Sequence, residues 1–407
     1  GNKQKLILIG NGMAGVRFLE NLIEKDYTLY DITVFGSEPH TAYNRILLSP
    51  LLSGEQKLED IITHDDDWYS NHQIDFQKGK TIIEIDRNNK KLIDSQGQTY
   101  TYDKLVIATG SKPFLPPIPG NDLRHVHTYR TIEDVDQMLN VCQKKSSAVV
   151  IGGGLLGLEA AYGLKRRGMA VTVLHLNPIL MERQLDAVAS EKLIRSLESK
   201  GIKVMTNINT ESIRGKEHVE SVELSNGDII ETDLVVIAVG IRPNNELAKS
   251  SGLECQRGIV VNDSLQTSDS AIFALGECAE HKDKTYGLVA PLYEQAEVCA
   301  EYLTGNHGAA YSGSIMATGL KVTGIDLYSV GEFIEDDACK VIKLTDDARG
   351  IYRKLVIKEE KLIGALFYGD ISDSLWYQEL IQSRKNISDI KDFLMFGPGF
   401  LSDSVAA

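Results

Sequence analysis

Gly10, Gly12 and Gly15 follow the apolar run Leu6 to Ile9 at G-x-G-x-x-G offsets, and a helical pattern resumes beyond them. Glycines at this spacing are suited to seating a pyrophosphate. Gly10 permits a sharp turn after a strand, Gly12 lets backbone N–H groups approach the ligand, and Gly15 allows close packing of helix on strand. The positive end of the helix dipole then faces the phosphates. One such pattern can arise as a chance glycine-rich turn, but this chain repeats it. Ala148 to Gly157 reads AVVIGGGLLG, with Gly152, Gly154 and Gly157 at the same offsets. Two further apolar runs, KLVIATG ending at Gly110 and DLVVIAVG ending at Gly240, read as buried strands that stop at a glycine. The repetition predicts two dinucleotide folds and two bound dinucleotides.

Other residues are placed to complete these turns. Glu38 lies just past the predicted strand DITVF, where an acid accepts hydrogen bonds from a ribose; the alternative is a solvated loop glutamate. Arg45 offers a planar fork to a pyrophosphate, or is a surface cation. Downstream, Glu277 follows the apolar strand of TSDSAIFALGECAE, and VAPLYEQAEVCAEYL opens a helix at Pro291. Together they can close a flavin site. The carboxylate accepts from a ribityl hydroxyl and the helix N-terminus stabilises negative charge on a reduced flavin, although a plain turn and helix start would read alike. In the second repeat the strand MAVTVLH ends on His175 instead of an acid. It supplies no carboxylate for ribose hydroxyls, and no arginine pair stands beside it to seat a 2′-phosphate, so the reading leans to NADH over NADPH. Arg166 and Arg167 read as C-terminal charges of the preceding helix.

Composition sets limits on function. A chain of 407 residues with 43% apolar and 25% charged residues is an ordinary globular protein of several domains. Its formal net charge of -14 argues against nucleic-acid binding. The longest uniformly apolar runs, such as Leu234 to Val239, are far shorter than the roughly 20 residues of a membrane span. Five scattered cysteines form no C-x-x-C pair, so neither a disulfide framework nor a metal or iron-sulfur site is indicated, and a reducing cytoplasm fits. The chain begins with Gly1 in place of Met.

The predicted fold class is α/β, with two Rossmann-like dinucleotide-binding domains followed by a C-terminal α+β domain. Residues 1–112 and 245–311 form the discontinuous first domain, 113–244 the second and 312–407 the third. Within the first, short alternating strands from Gln73 to Asp103 suggest a β-meander with a hairpin at Asn88-Asn89. The proline-rich stretch SKPFLPPIPG leads into the second domain, and IRPNNEL mirrors it on return. Beyond Ser312 strand-like runs precede the amphipathic SDSLWYQELIQSR, with no further nucleotide motif.

Taken together, ITVFGSEPHTAYNRILLSPLLSG, VTVLHLNPILMERQLD, FALGECAEH, YGLVAPLYEQAEVCA and LKVTGIDLYSVG resemble the FAD-dependent pyridine nucleotide-disulfide oxidoreductase superfamily of two-dinucleotide flavoprotein reductases. Within it the likeness is to the FAD- and NADH-binding part of assimilatory nitrite reductases and of nitrate reductase electron-transfer subunits; rubredoxin reductases share fewer of these stretches. The resemblance implies that Gly10, Gly12, Gly15, Glu38, Arg45, Thr109, Gly110 and Glu277 hold FAD. It implies that Gly152, Gly154, Gly157 and Glu159 hold the nicotinamide cofactor, with Glu159 near the carboxamide. No side chain is assigned as catalytic with certainty, since the flavin carries the chemistry. The chain departs from the wider superfamily at Glu277, usually aspartate, and at Pro50, where some relatives carry a redox cysteine or a lysine. Full-length nitrite reductases continue into cluster- and haem-binding regions, whereas this sequence stops at Ala407, so it is expected to be either a separate electron-transfer subunit or an excised fragment.

The activity so implied is hydride transfer from nicotinamide C4 to flavin N5, with electrons then released singly to a metal centre on a partner. A nitrate or nitrite reductase is the favoured partner and rubredoxin or ferredoxin the alternative. A flavin-binding interaction protein with little turnover is the reading of another class.

Overall fold

The computed structural model describes residues 3–143 and 147–406, with the backbone alone described for Tyr27 and 402–406. The chain divides into two compact units. The first comprises residues 1–51, 55–114 and 241–314, and the second 52–54, 115–240 and 315–407.

The first unit is built on a five-stranded parallel sheet. Its strand order is Ile272–Ala274, Lys104–Ile107, Gln4–Ile9, Tyr30–Gly36, Asp75–Lys78. The central strands are continuous apolar runs because both faces are covered. Helix Met13–Asp26 turns Val16, Phe18, Leu19 and Leu22 inward, and helix Val289–Leu303 packs against it through its own buried face of Leu292, Ala296, Cys299 and Ala300. Each large side chain buried here stabilises the unit by about 1.5 to 3 kcal/mol before entropy is counted. The meander predicted between Gln73 and Asp103 is present as the antiparallel strands Ile82–Asp86, Lys91–Asp94 and Thr99–Thr101, with Lys90 at positive φ in the hairpin turn. Ser111–Pro113 and Ile241–Pro243, the two crossing segments, pair antiparallel as a ribbon, Ile241 opposite Pro113.

The second unit repeats this plan. Its parallel sheet runs Lys203–Met205, Ala170–Leu174, Ser147–Ile151, Leu234–Ile237, Val126–Thr128, again with the strand before the glycine turn at the centre. A second antiparallel meander, Thr210–Gly215, Val219–Leu224 and Ile229–Glu231, matches the first. It is an element beyond those the sequence motifs predict. The same unit contains a C-terminal antiparallel sheet in the order Ala317–Val322, Ile325–Gly331, Lys361–Tyr368, Ile351–Lys358, Lys340–Asp346. Helix Ser374–Ser383 covers it, with Tyr377, Leu380 and Ile381 meeting Tyr328, Leu355 and Phe367. Among the described residues no helix is long and apolar enough to cross a membrane.

Candidate functional site

The two glycine turns are built on the same plan. Gly10 has φ +113° and Gly152 φ +116°, and in each a side-chain carbon would lie 2.0 Å from a carbonyl oxygen, that of Ala108 or Ala238. Only glycine tolerates that conformation and that approach. The third glycine of each turn faces the first: a carbon on Gly15 would sit 2.5 Å from Gly10 O, and one on Gly157 1.8 Å from Gly152 O. The middle glycine differs in both. Nothing lies within 4 Å of a carbon built on Gly154, and the nearest neighbour of one on Gly12 is Arg45 Nη2 at 3.9 Å. The first and third glycines are therefore fixed by packing, and the middle one borders open space of the kind a pyrophosphate needs.

The helices behind both turns start without a side-chain cap. Gly154 caps helix Leu155–Arg166 and offers none, while Val16 N–H bonds to Gly12 O at 3.0 Å in the first turn of helix Met13–Asp26. Amides left unpaired at a helix start are anion-binding groups. The same holds at Leu288, which precedes helix Val289–Leu303 and supplies no side-chain bond. That helix starts at Val289, two residues before the predicted opening at Pro291. Pro291 sits buried in its first turn, where its missing N–H leaves no intrahelical bond unmade.

In the first unit the structure brings Gly12, Arg45 and Glu277 together. Arg45 Nη1 lies 3.6 Å from Glu277 Oε1, and Glu277 is buried on the short turn Gly276–Cys278. Gln295, fully buried in the middle of helix Val289–Leu303, accepts from Gly276 N–H at 2.8 Å and holds that turn against the helix. Glu38 is held by Tyr43, whose hydroxyl is 2.8 and 3.1 Å from its two carboxylate oxygens. Tyr43 was not among the predicted site residues, although it stands in the same quoted stretch. Thr109 Oγ1 donates to Asn244 O and Asn244 N–H to Gly110 O, both at 2.8 Å, so this strand end is braced by the returning segment.

In the second unit Glu159 lies half-buried on helix Leu155–Arg166. His175 is buried beneath the glycine turn. Its Nδ1 accepts from Gly153 N–H at 2.8 Å, and its Nε2 faces Ile179 O at 3.0 Å and Glu182 Oε2 at 2.9 Å. Both ring nitrogens are thus engaged within the protein. Glu182 lies within a stretch that carries the resemblance; an acid seven residues beyond His175 is the available signal. Arg167 caps its helix and donates to Leu52 O at 2.7 Å.

All five cysteines are unpaired. Burial pushes the thiols of Cys142, Cys255, Cys278 and Cys299 up, away from the thiolate form. Helix Leu48–Ser53, with Pro50, contains none.

Residues 4–302 match the pyridine nucleotide-disulphide oxidoreductase family. The chain belongs to this family. Residues 317–385 match the rubredoxin NAD+ reductase C-terminal domain. The oxidoreductase chain is 46% identical over 97% of its length to nitrite reductase [NAD(P)H] of Bacillus subtilis (strain 168), covering 49% of that protein. It is 43% identical over 96% of its length to the assimilatory nitrate reductase electron transfer subunit of the same organism, covering 50% of it. It therefore spans about half the length of both relatives. Among solved structures, NADH:rubredoxin oxidoreductase from Clostridium acetobutylicum superposes with a TM-score of 0.81 at 29% identity, covering 96% of this chain and 98% of that one. The family implies use of a flavin and NAD(P)H, and the chain is an NAD(P)H oxidoreductase. The residues present fit these groups: an open middle glycine, an uncapped helix start and a buried acid in the first unit, and the same glycine geometry and uncapped helix start in the second.

Proposed function

We propose that residues 1–112 and 245–311 hold FAD, that 113–244 hold NADH in preference to NADPH, and that the chain passes electrons from NADH through the flavin to a redox protein or domain with a metal centre. The favoured acceptor is an assimilatory nitrate or nitrite reductase. What carries this reading is the 43% identity over 96% of the chain to a protein named as an electron transfer subunit of nitrate assimilation. A bound flavin would supply the conversion of a two-electron hydride donor to one-electron transfer. The protein's share is to hold and orient. Gly10, Gly12, Gly15 and the start of helix Met13–Asp26 seat the FAD pyrophosphate, with Arg45 beside it; Glu38 receives a ribose, Glu277 a ribityl hydroxyl, and Thr109 and Gly110 shape the strand end. The start of the helix carrying Pro291 stabilises negative charge on the flavin. Gly152, Gly154 and Gly157 seat the second pyrophosphate, and Glu159 orients the carboxamide. Five unpaired cysteines suit a reducing cytoplasm.

The test uses the isolated chain with NADH. It should reduce ferricyanide and leave nitrate and nitrite untouched until the cognate reductase is added. Consumption of nitrite by the chain alone would refute the reading. A second acceptor, rubredoxin or ferredoxin, is favoured by the C-terminal match over 317–385 and by the NADH:rubredoxin oxidoreductase superposition. Reduction of rubredoxin far faster than of the reductase would decide for it.

A further inference from the structure

We infer that Glu182 supplies the carboxylate that recognises the adenosine ribose of the nicotinamide dinucleotide and turns away a 2′-phosphate, with His175 as the residue that positions it. The inference rests on the reading of the second unit as the NADH-binding domain, and it names the group that sets the preference. In dinucleotide folds the residue ending the second strand of the sheet normally carries this acid. Here the strand Ala170–Leu174 is followed by His175, which is not an acid.

The ring of His175 has no nitrogen left to offer a ribose. Its Nδ1 accepts from Gly153 N–H, so in the neutral ring the proton sits on Nε2, and that nitrogen faces two acceptors, Ile179 O and Glu182 Oε2. The segment after the strand is pinned to the glycine turn a second time. Met181 N–H donates to Gly153 O at 3.0 Å, with Met181 in the left-handed region at φ +48°. One residue of the turn is thereby gripped on both sides, its N–H by His175 and its C=O by Met181. Glu182 is the next residue. Its side chain is 42% exposed, and the carboxylate oxygen facing His175 is at 2.9 Å. The carboxylate is thus fixed at the rim of the cradle by one contact and still reachable from solvent. A carboxylate accepts two hydrogen bonds from vicinal hydroxyls and repels a dianionic phosphate at the same place. Moving the acid seven residues along the chain, and using histidine to hold it, restores a group that the strand end lacks.

Direct binding tests this without turnover. Calorimetry should show that the wild-type flavoprotein binds ADP-ribose more tightly than 2′-phospho-ADP-ribose. Glu182→Gln, which keeps the shape and removes the charge, should cut that preference about tenfold, and Glu182→Arg should invert it. Flavin content should stay at the wild-type value and the fold should persist in both, because Glu182 is exposed and Ile179 O still faces His175 Nε2. A ratio unchanged by either substitution would overturn the role of Glu182 and leave the dinucleotide reading intact. Failure of the wild type to bind either ligand would overturn both.

Discussion

The hydroxyl of Tyr352 donates to Asp186 Oδ2 at 2.7 Å, joining the C-terminal sheet to the residue that caps helix Ala187–Ser199. Asp186 also accepts from Ala189 N–H at 2.9 Å with its other oxygen. Lys354 Nζ stands 3.3 Å from the same oxygen as Tyr352 and 2.5 Å from Glu335. Buried Asp186, Tyr352 and Lys354 thus hold sheet and helix together, with Glu335 meeting Lys354 from the exposed side. Tyr352→Phe removes one bond and should lower stability by about 1 kcal/mol, whereas Asp186→Ala removes the cap, the tyrosine's acceptor and one of the lysine's two partners, and should cost about 3 kcal/mol or more. Chemical denaturation midpoints of the two variants give the order.

Middle and third glycines should respond differently to substitution. A Cβ on Gly12 would have Arg45 Nη2 at 3.9 Å as its nearest neighbour and one on Gly154 nothing within 4 Å, so in Gly12→Val and Gly154→Ala the folded protein should persist with weakened flavin or nucleotide binding. Gly157→Ala places a carbon 1.8 Å from Gly152 O and should destabilise the second unit itself. Circular dichroism melts beside flavin absorbance separate the two outcomes; loss of fold in Gly12→Val would contradict the assignment of open space.

Thiol chemistry should be absent from turnover. With four of the thiols held up by burial and no cysteine on helix Leu48–Ser53, anaerobic titration with NADH should stop at two electrons per flavin. An end point at four electrons would reveal a redox-active cysteine pair.

Acid should destabilise the second unit through His127. Burial on the edge strand Val126–Thr128 lowers its pKa below the ordinary 6.5, against an opposing pull from Asp134. A base with a depressed folded pKa leaves stability intact above the unfolded value and lowers it as pH falls from 6.5 toward the folded value, because the unfolded chain takes up the proton first. His127→Gln should flatten this part of the stability profile between about pH 7 and 5.

Much of this was legible in the sequence where the backbone itself is constrained. Gly10, Gly15, Gly152 and Gly157 are dictated by carbonyl oxygens within 2.5 Å, and such demands leave a spacing that any reader of the chain can find. The meander after Gln73 showed through its alternation. Its counterpart from Thr210 to Glu231 is formed by three short strands rich in charged residues, which mask the pattern. Proline drew the predicted helix start to Pro291, although the first-turn N–H groups have no intrahelical partner and the third residue of a helix can also be proline. His175 was visible as a departure from an acid; that its ring turns under Gly153 was not, because burial is decided by residues distant in the chain. The link from Tyr352 to Asp186 spans 166 residues, and no local pattern announces it.

The first parallel sheet takes its outer strand, Ile272–Ala274, and the helix that covers Phe18, Leu19 and Leu22 from late in the chain. During synthesis, therefore, the cradle around Gly10 emerges well before residues 272–303, which complete it. Its sheet lacks an edge, and the apolar face of helix Met13–Asp26 lacks its partner, until residue 303 has left the ribosome. The sheet from Val126 to Ile237 needs nothing from further downstream and can form in the interval. At roughly 5 to 20 residues per second that interval lasts many seconds. Over that period the strand Gln4–Ile9 and its helix wait for partners that lie more than 260 residues further along the chain.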